Sequence, residues 1–314
     1  MDLALRFLFS SDVLVFEGEA FFLVGVLVKY LFPTRPFVNY CMEYLTVEEQ
    51  PRFTRVLKRY ERYADRPDLV LDVESHRAAA RQYRYRLTKQ PLVIPNTLPH
   101  SEVPPPAPRG SLAALAGAVF PTGVPVLVYA GGIHAGTGME AVISALSCLS
   151  NPVCFLAFCN AEDQAVAHFR SRVEAVLGRR MTRILSSVPR FQLLSCIAEA
   201  DAGLVYYPVS VEKSFNQRYC APAKFFEYVS VGLPVVASSN PSLVDLIDHY
   251  GVGDYASDDT PEALTAVLES FMFDSARLRQ CRQNAVRVFR SDLCYELKAQ
   301  EALARIEEMT LLRG

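Results

Sequence analysis

What this sequence lacks narrows it first. Its 314 residues carry 32 Lys and Arg against 34 Asp and Glu, a formal net charge of −2, which argues against nucleic acid as a bulk partner. Eight cysteines, at positions 41, 148, 154, 159, 196, 220, 281 and 294, form no CxxC pair, and no His stands at ligand spacing from them. No metal centre can be argued, and no cofactor is expected. Cys154 and Cys159 fall in an apolar, strand-like run, where a small buried thiol is the ordinary explanation. Unpaired thiols fit a reducing, cytoplasmic setting. A secretory leader is not expected, because Asp2 and Arg6 interrupt the opening and no small-residue cleavage site follows. The longest apolar run, Ala20 to Phe32, is broken by Lys29 and falls well short of the ~20 residues a spanning helix needs. There is no internal repeat.

What is present is a hydrophobic fraction of 51%, enough for sizeable cores, and an alternation of strand-like and helix-like segments. Asp12–Phe16, Pro36–Tyr40, Leu69–Val73 and Leu92–Pro95 read as strands. Between them Ala20–Phe32, Val47–Ala64 and His76–Leu87 read as helices, the second with Phe53, Val56, Leu57 and Tyr60 on one face. Five prolines between Pro99 and Pro108 make a stiff connector, and Ser111–Val119 is a helix or further linker. A second run then begins at the buried strand Pro125–Tyr129. Strands at Val153–Phe158, Arg183–Leu185, Ala202–Tyr206 and Pro234–Ala237 follow, separated by helices at Met139–Leu149, Glu162–Leu177, Phe191–Ala200, Ala223–Val231, Pro241–His249 and Pro261–Phe271. Such alternation predicts parallel βαβ units and doubly wound sheets. The expected division is a partial Rossmann-like N-terminal domain over residues 1–98, a proline-rich linker over 99–124, a C-terminal Rossmann-like domain over 125–274, and a charged helical tail over 275–314.

The most informative stretch runs from Ser214 to Ser238. Asn216, Gln217 and Arg218 lead through Tyr219 and Pro222 into a short helix carrying Lys224 and Glu227. That helix stops at Gly232, and the β-branched strand Pro234-Val235-Val236-Ala237 follows. A helix N-terminus offers unpaired N–H groups and a positive dipole end, suited to a phosphate. Lys224 adds a full charge there, and Glu227, one turn on, can accept from sugar or ribose hydroxyls. Helix–Gly–strand alone is an ordinary αβ unit with a glycine C-cap. The ordered string, however, resembles the donor site of retaining GT-B glycosyltransferases of the family-four type. Every fixed position of the bacterial pattern N-x-x-Y-x-x-P-x-K-x-x-E-Y-x-x-x-G-x-P-V is met between Asn216 and Val235. The resemblance implies a GT-B-like pair of Rossmann-type domains and a nucleotide-sugar donor. Lys224 would bind the diphosphate and Glu227 the donor hydroxyls, and the tail would cross back to the N-terminal domain.

Other segments fit the same reading less specifically. Gly131-Gly132 after a buried strand, then His134 and Gly136-Thr137-Gly138 before a helix, form a turn whose backbone can approach a pyrophosphate, although glycines also serve tight turns. Relatives carry cations in this loop where Gly132 and Thr137 stand, so two charges for the departing diphosphate are missing. Arg190 or Arg183 is the expected substitute. The first acid of the family's Glu-x7-Glu signature is replaced by Tyr219. Val188, in Ser186–Pro189, occupies the loop whose backbone reads the nucleobase in relatives, and a turn with no ligand explains it equally well. Glu43 ends a strand that resembles the acceptor-side His-Glu pair, with Met42 in place of His. It would position an acceptor hydroxyl or stand as a solvated carboxylate. Asn96 is read as a structural turn residue.

The N-terminal helices are basic: Arg52, Arg55, Lys58, Arg59, Arg62 and Arg66, then Arg77, Arg81, Arg84, Arg86 and Lys89. A solvated face is the usual reason for such a run, and attraction to anionic lipid or to a lipid-linked acceptor is the sharper one. The resemblance also implies about three further βα units at the start of the N-terminal domain: the native start lies upstream, or the domain is half-size, or another chain completes it, and a homo-oligomer or partner subunit is expected through residues 12–32. The sequence therefore points to a glycosyltransferase that moves a sugar from a nucleotide sugar to a glycan or lipid-linked acceptor. The alternative is a non-catalytic GT-B-like subunit that completes a partner. A nucleotide-sugar epimerase on the same fold lacks its expected acid and His patterns. The protein is placed in the cytoplasm, with a peripheral contact at the membrane's inner face. If that contact is real, co-sedimentation with liposomes will rise with acidic lipid, fall with salt, and be lost when Arg52, Arg55, Arg59 and Arg62 become Gln. Salt-independent binding would leave the arginines as a solvated face.

Overall fold

The structure, a computed structural model, describes residues 13–47, 50–133, 137–209 and 214–311. Asp12, where the first strand was expected to start, and His134 and Gly136 of the glycine turn lie outside these residues. The first elements are β1 (Leu14–Glu17), α1 (Gly18–Leu31), β2 (Phe37–Cys41), α2 (Thr54–Tyr63), β3 (Leu69–Asp72), α3 (Ser75–Tyr85) and β4 (Leu92–Val93). After the proline stretch come α4 (Ser111–Ala116), β5 (Val126–Gly131), α5 (Met139–Ser147), β6 (Cys154–Cys159), α6 (Asp163–Leu177), β7 (Thr182–Ser186), α7 (Arg190–Ile197) and β8 (Ala202–Val205). Then follow α8 (Phe215–Arg218), α9 (Ala223–Ser230), β9 (Val235–Ala237), α10 (Pro241–Tyr250), β10 (Gly253–Tyr255), α11 (Pro261–Met272), α12 (Ser275–Val288) and α13 (Tyr295–Leu311).

Boundaries differ from the periodicity where a local residue intervenes. The helix expected from Val47 starts at Thr54, after a 3-10 turn at Pro51–Phe53, because proline has no N–H to give a preceding turn. The tail is not one helix: a π-turn at Phe289–Leu293 and extended backbone at Cys294 divide α12 from α13. β10 and α8 are three and four residues long, too short for a periodic signal.

The chain divides into two compact units: Met1–Asn96 with Lys213–Ala221 and Tyr295–Gly314, and Thr97–Glu212 with Pro222–Cys294. In the first, four parallel strands lie in the order β1-β2-β3-β4. Successive residues of a strand point to opposite faces, and β2 shows it. Phe37 and Cys41 join a cluster with Phe22, Tyr60, Val70 and Tyr85 from α1, α2, β3 and α3. Val38 joins Leu69, Leu71 and Ile94, covered by Ala299 and Ala302 of α13. Asn96, read from sequence as a turn residue, donates from its side chain to the Ala221 carbonyl at 2.7 Å.

A buried polar network closes the carboxyl end of this sheet. Arg81 is fully buried and donates to Asp72 at 2.9 Å, to the Tyr60 hydroxyl at 3.2 Å and to the Glu43 carbonyl at 2.8 Å. Burial raises the Asp72 carboxyl above its usual range, opposed by the charge and hydrogen bond of Arg81. Arg77, also buried, donates to the carbonyls of Met42, Asn216 and Tyr219 at 3.0, 2.8 and 2.6 Å. These two arginines are thus not part of a solvated basic face. Arg52, Arg55, Lys58, Arg59, Arg62 and Arg66 are exposed.

The second unit has six parallel strands in the order β10-β9-β8-β5-β6-β7. Counted from β5, this is the 3-2-1-4-5-6 order of a Rossmann sheet, whose direction of winding reverses between β5 and β8. One large core joins Leu127, Phe155, Ile184 and Leu204 of the sheet to Val142, Phe169 and Leu268 of α5, α6 and α11. The proline stretch is bonded along this unit: Ala107 donates to the Ser195 carbonyl at 3.0 Å, and Gly110 and Ser111 donate to the Glu199 carboxylate at 2.8 and 3.0 Å. Among the described residues no helix is long and apolar enough to cross a membrane.

Removing Arg81 alone would leave the Asp72 carboxylate buried without its cation. Arg81→Met should lower stability by about 3–5 kcal/mol, read as a shift in the urea midpoint. Arg81→Met combined with Asp72→Asn should recover a large part of that loss, and no recovery would mean that the ion pair is not the origin of the effect.

Candidate functional site

In an open parallel sheet the crevice for a ligand lies outside the carboxyl ends of the strands, where the winding reverses. In the second unit that place is the ends of β5 and β8, followed by Gly131 and Tyr206-Tyr207. Helix α9 delivers Lys224 to it. Pro222 is the N-cap, in extended backbone at φ −77° and ψ 117°, and Lys224 stands in the first turn. The Lys224 ammonium lies 4.5 Å from the centre of the Tyr129 ring and 4.9 Å from that of Tyr207. Two ring faces stabilise the cation while the helix end adds its own positive potential.

The glycine turn is shaped by this lysine. A Cβ on Gly131 would lie 2.8 Å from Lys224 Nζ and 3.0 Å from the Tyr129 hydroxyl, so a side chain here would displace the lysine ammonium from its present position. The Tyr129 hydroxyl donates to the Gly132 carbonyl at 2.6 Å. Burial is the larger cause raising its pKa, which keeps the hydroxyl protonated as a donor. Gly138 serves the fold: its φ is +74°, and a Cβ would meet the Tyr206 ring at 2.6 Å. It ends the turn as the N-cap of α5.

Tyr228, next to Glu227, fixes the strand that carries this turn. It is fully buried, its ring lies against Gly203 of β8, where a Cβ would stand 2.3 Å away, and its hydroxyl accepts from the Ala130 N–H at 2.9 Å. Burial holds the phenol well above its ordinary pKa.

Glu227 sits one turn after Lys224, on the same face of α9. Its carboxylate accepts from Arg190 Nε at 2.7 Å, and Arg190 reaches Glu102 at 3.4 Å on its other side. Arg190 opens α7, just past Val188 at the carboxyl end of β7. Arg183 is placed elsewhere: it is the second residue of β7 and donates to the carbonyls of Arg179 and Thr182, at the opposite end of the strand.

The sequence-derived site residues thus fall into three groups. Lys224 gathers with Gly131 and with Gly132 through Tyr129, Glu227 pairs with Arg190, and Pro222 opens the helix they share. Asn216, Tyr219 and Glu43 belong to the first unit. There the Asn216 side chain accepts from the Tyr44 N–H at 2.8 Å and donates to the Tyr44 carbonyl at 3.0 Å. Tyr219 stacks on His76 with centroids 4.9 Å apart, and Glu43 lies 3.4 Å from Arg77 at 61% exposure. The sequence reading missed Tyr129, Tyr207 and Glu102, which belong to no motif. It also gave no role to Tyr228, although the Glu-Tyr pair of the pattern marked it. Among the described residues no group of three or more His, Cys, Asp or Glu could hold a metal.

No family model matches the chain, and neither does any curated protein. Solved structures do. HepE of Anabaena, in complex with UDP and glucose, is 16% identical with a TM-score of 0.71, over 98% of this chain and 82% of its own. Sucrose-phosphate synthase from Thermosynechococcus elongatus is 15% identical with a TM-score of 0.70, over 96% and 74%. WaaG, a glycosyltransferase involved in lipopolysaccharide biosynthesis, is 16% identical with a TM-score of 0.58, over 87% and 78%. These are GT-B glycosyltransferases, and the chain shares their fold: α/β, GT-B-like, with two Rossmann-like parallel sheets.

The hydroxyl of Tyr228 has a structural task that can be isolated. Tyr228→Phe leaves the Ala130 N–H without its acceptor, which should cost about 1–3 kcal/mol in chemical denaturation. An unchanged midpoint would remove the bond from the account of the turn.

Proposed function

We propose that this chain transfers a hexosyl-type sugar, with retention, from a nucleotide-sugar donor to a glycan or lipid-linked acceptor. The observation that carries the reading is the Lys224 ammonium. It lies at the reversal point of the second sheet, against Gly131, between two tyrosine rings at 4.5 and 4.9 Å. A cation at a helix N-terminus in this crevice suits a diphosphate. Support comes also from the shared fold, since HepE is a structure with UDP bound.

In this reading Lys224, the α9 dipole and the backbone of Gly131-Gly132 take up the diphosphate charge without a metal or other cofactor. Glu227 accepts from donor hydroxyls, the loop at Val188 meets the nucleobase, and His134 belongs to the same loop by sequence. Asn216, Tyr219 and Pro222 set the path of the chain into α9, and Glu43 orients the acceptor. The exposed cations around α2 would draw the protein, from the cytoplasmic side, to an anionic membrane surface or a lipid-linked acceptor.

A second reading, a GT-B-like subunit that completes a partner, is favoured by one feature. Among the described residues β1 pairs on one side only, with β2, and Val15, Leu27, Tyr30 and Leu31 nearby are 58–83% exposed. An uncovered parallel edge is a surface for another chain or a second copy. Phe22 is buried in the core, so Leu27 is the position to probe.

Isothermal titration with nucleoside diphosphates tests the donor site. Lys224→Ala should weaken the best of them by about 1.5–3 kcal/mol, and Glu227→Ala should weaken the nucleotide sugar more than the free diphosphate. Equal binding by wild type and Lys224→Ala would sink the assignment. Binding without sugar transfer to any acceptor fraction would favour the subunit.

A further inference from the structure

A donor diphosphate carries more negative charge than the single ammonium of Lys224 neutralises, so a second cation close to α9 would be of use to it. Arg190 is a cation that the structure sets beside Glu227 of α9. Its Nε lies 2.7 Å from Glu227, one turn from Lys224, and its NH1 lies 3.4 Å from Glu102 on the proline stretch. The Arg190 and Glu102 side chains are 48% and 56% exposed. Pairs this open to water are weak and readily exchanged, whereas a guanidinium on a diphosphate makes charge-assisted, bidentate bonds.

The pairing also bears on Glu227. In this arrangement one of its carboxylate oxygens is committed to Arg190, so its capacity to accept from donor hydroxyls is reduced. Glu102 adds a second carboxylate that pairs with Arg190.

We propose that Arg190 is an exchangeable cation. It pairs with Glu227 and Glu102 and exchanges onto the diphosphate when the donor enters, releasing Glu227 for the donor's hydroxyls. Glu102 thereby acts as a positioning residue that sets donor affinity without touching the donor. The inference rests on the donor-site reading above.

Titration with UDP, and with uridine as the probe lacking phosphate, separates the outcomes. Glu102→Gln should tighten UDP about two- to fivefold and leave uridine unchanged. Arg190→Gln should weaken UDP about tenfold or more and again spare uridine. Joining the two substitutions should abolish the gain from Glu102→Gln, because the cation it restrains is gone. Both positions are at the surface, so thermal midpoints should stay near wild type and a folding defect can be recognised separately. A Glu102→Gln chain with unchanged or weaker UDP binding would overturn the exchange, and so would a gain that survives in the double variant. Wild type that binds neither UDP nor any other nucleoside diphosphate would overturn the donor site itself, and the exchange with it.

Discussion

A parallel sheet must be covered on both faces, and the two units meet that demand in different ways. In the first, the strand order runs steadily from β1 to β4. Right-handed crossovers then place α1, α2 and α3 on one face, where Phe22, Tyr60 and Tyr85 share a cluster. Among the described residues the other face is covered by α13, whose Ala299 and Ala302 lie against Val38, Leu69, Leu71 and Ile94. That requirement explains why the unit gathers the C-terminal helix from far along the chain. In the second unit the order doubles back at β5 and β8, so consecutive crossovers alone supply helices to both faces. The reversal also opens the crevice that holds Lys224.

Around that crevice, aromatic groups order the turn and flank the lysine. Tyr129 orders the turn through the Gly132 carbonyl and flanks the Lys224 ammonium, Tyr207 flanks it on another side, and Tyr228 ties α9 to the backbone of β5. The glycine at 131 lets the lysine ammonium lie close to the backbone of the turn, where a Cβ would push it aside. A turn whose glycines read as backbone approach to a phosphate is thus also a turn that makes room for a cation.

The basic character of the N-terminal helices has two physical origins. Arg52, Arg55, Arg59 and Arg62 lie in water and give a field available to anionic partners. Arg77 and Arg81 are buried and satisfy carbonyls at the sheet end, including those of Asn216 and Tyr219 just before α9. A count of charges cannot separate the two sets, since the same residue type serves both. The separation comes from what each guanidinium meets after folding.

The sequence by itself determined the alternation of strands and helices, the parallel α/β class, and the helix that carries Lys224 and Glu227. Those properties are local: hydrophobic period, proline and glycine punctuation, and the fixed spacing of residues within one short segment. Only the tertiary structure decided that Asn216 and Tyr219 join the first unit while Lys224 joins the second. It also decided that Arg190 meets both Glu227 and Glu102, and that Tyr129 and Tyr207 flank the lysine. Each of these joins residues dozens of positions apart or sorts neighbours by what they pack against. Neither is written in local periodicity, because strand order and crossover direction alone bring such residues together.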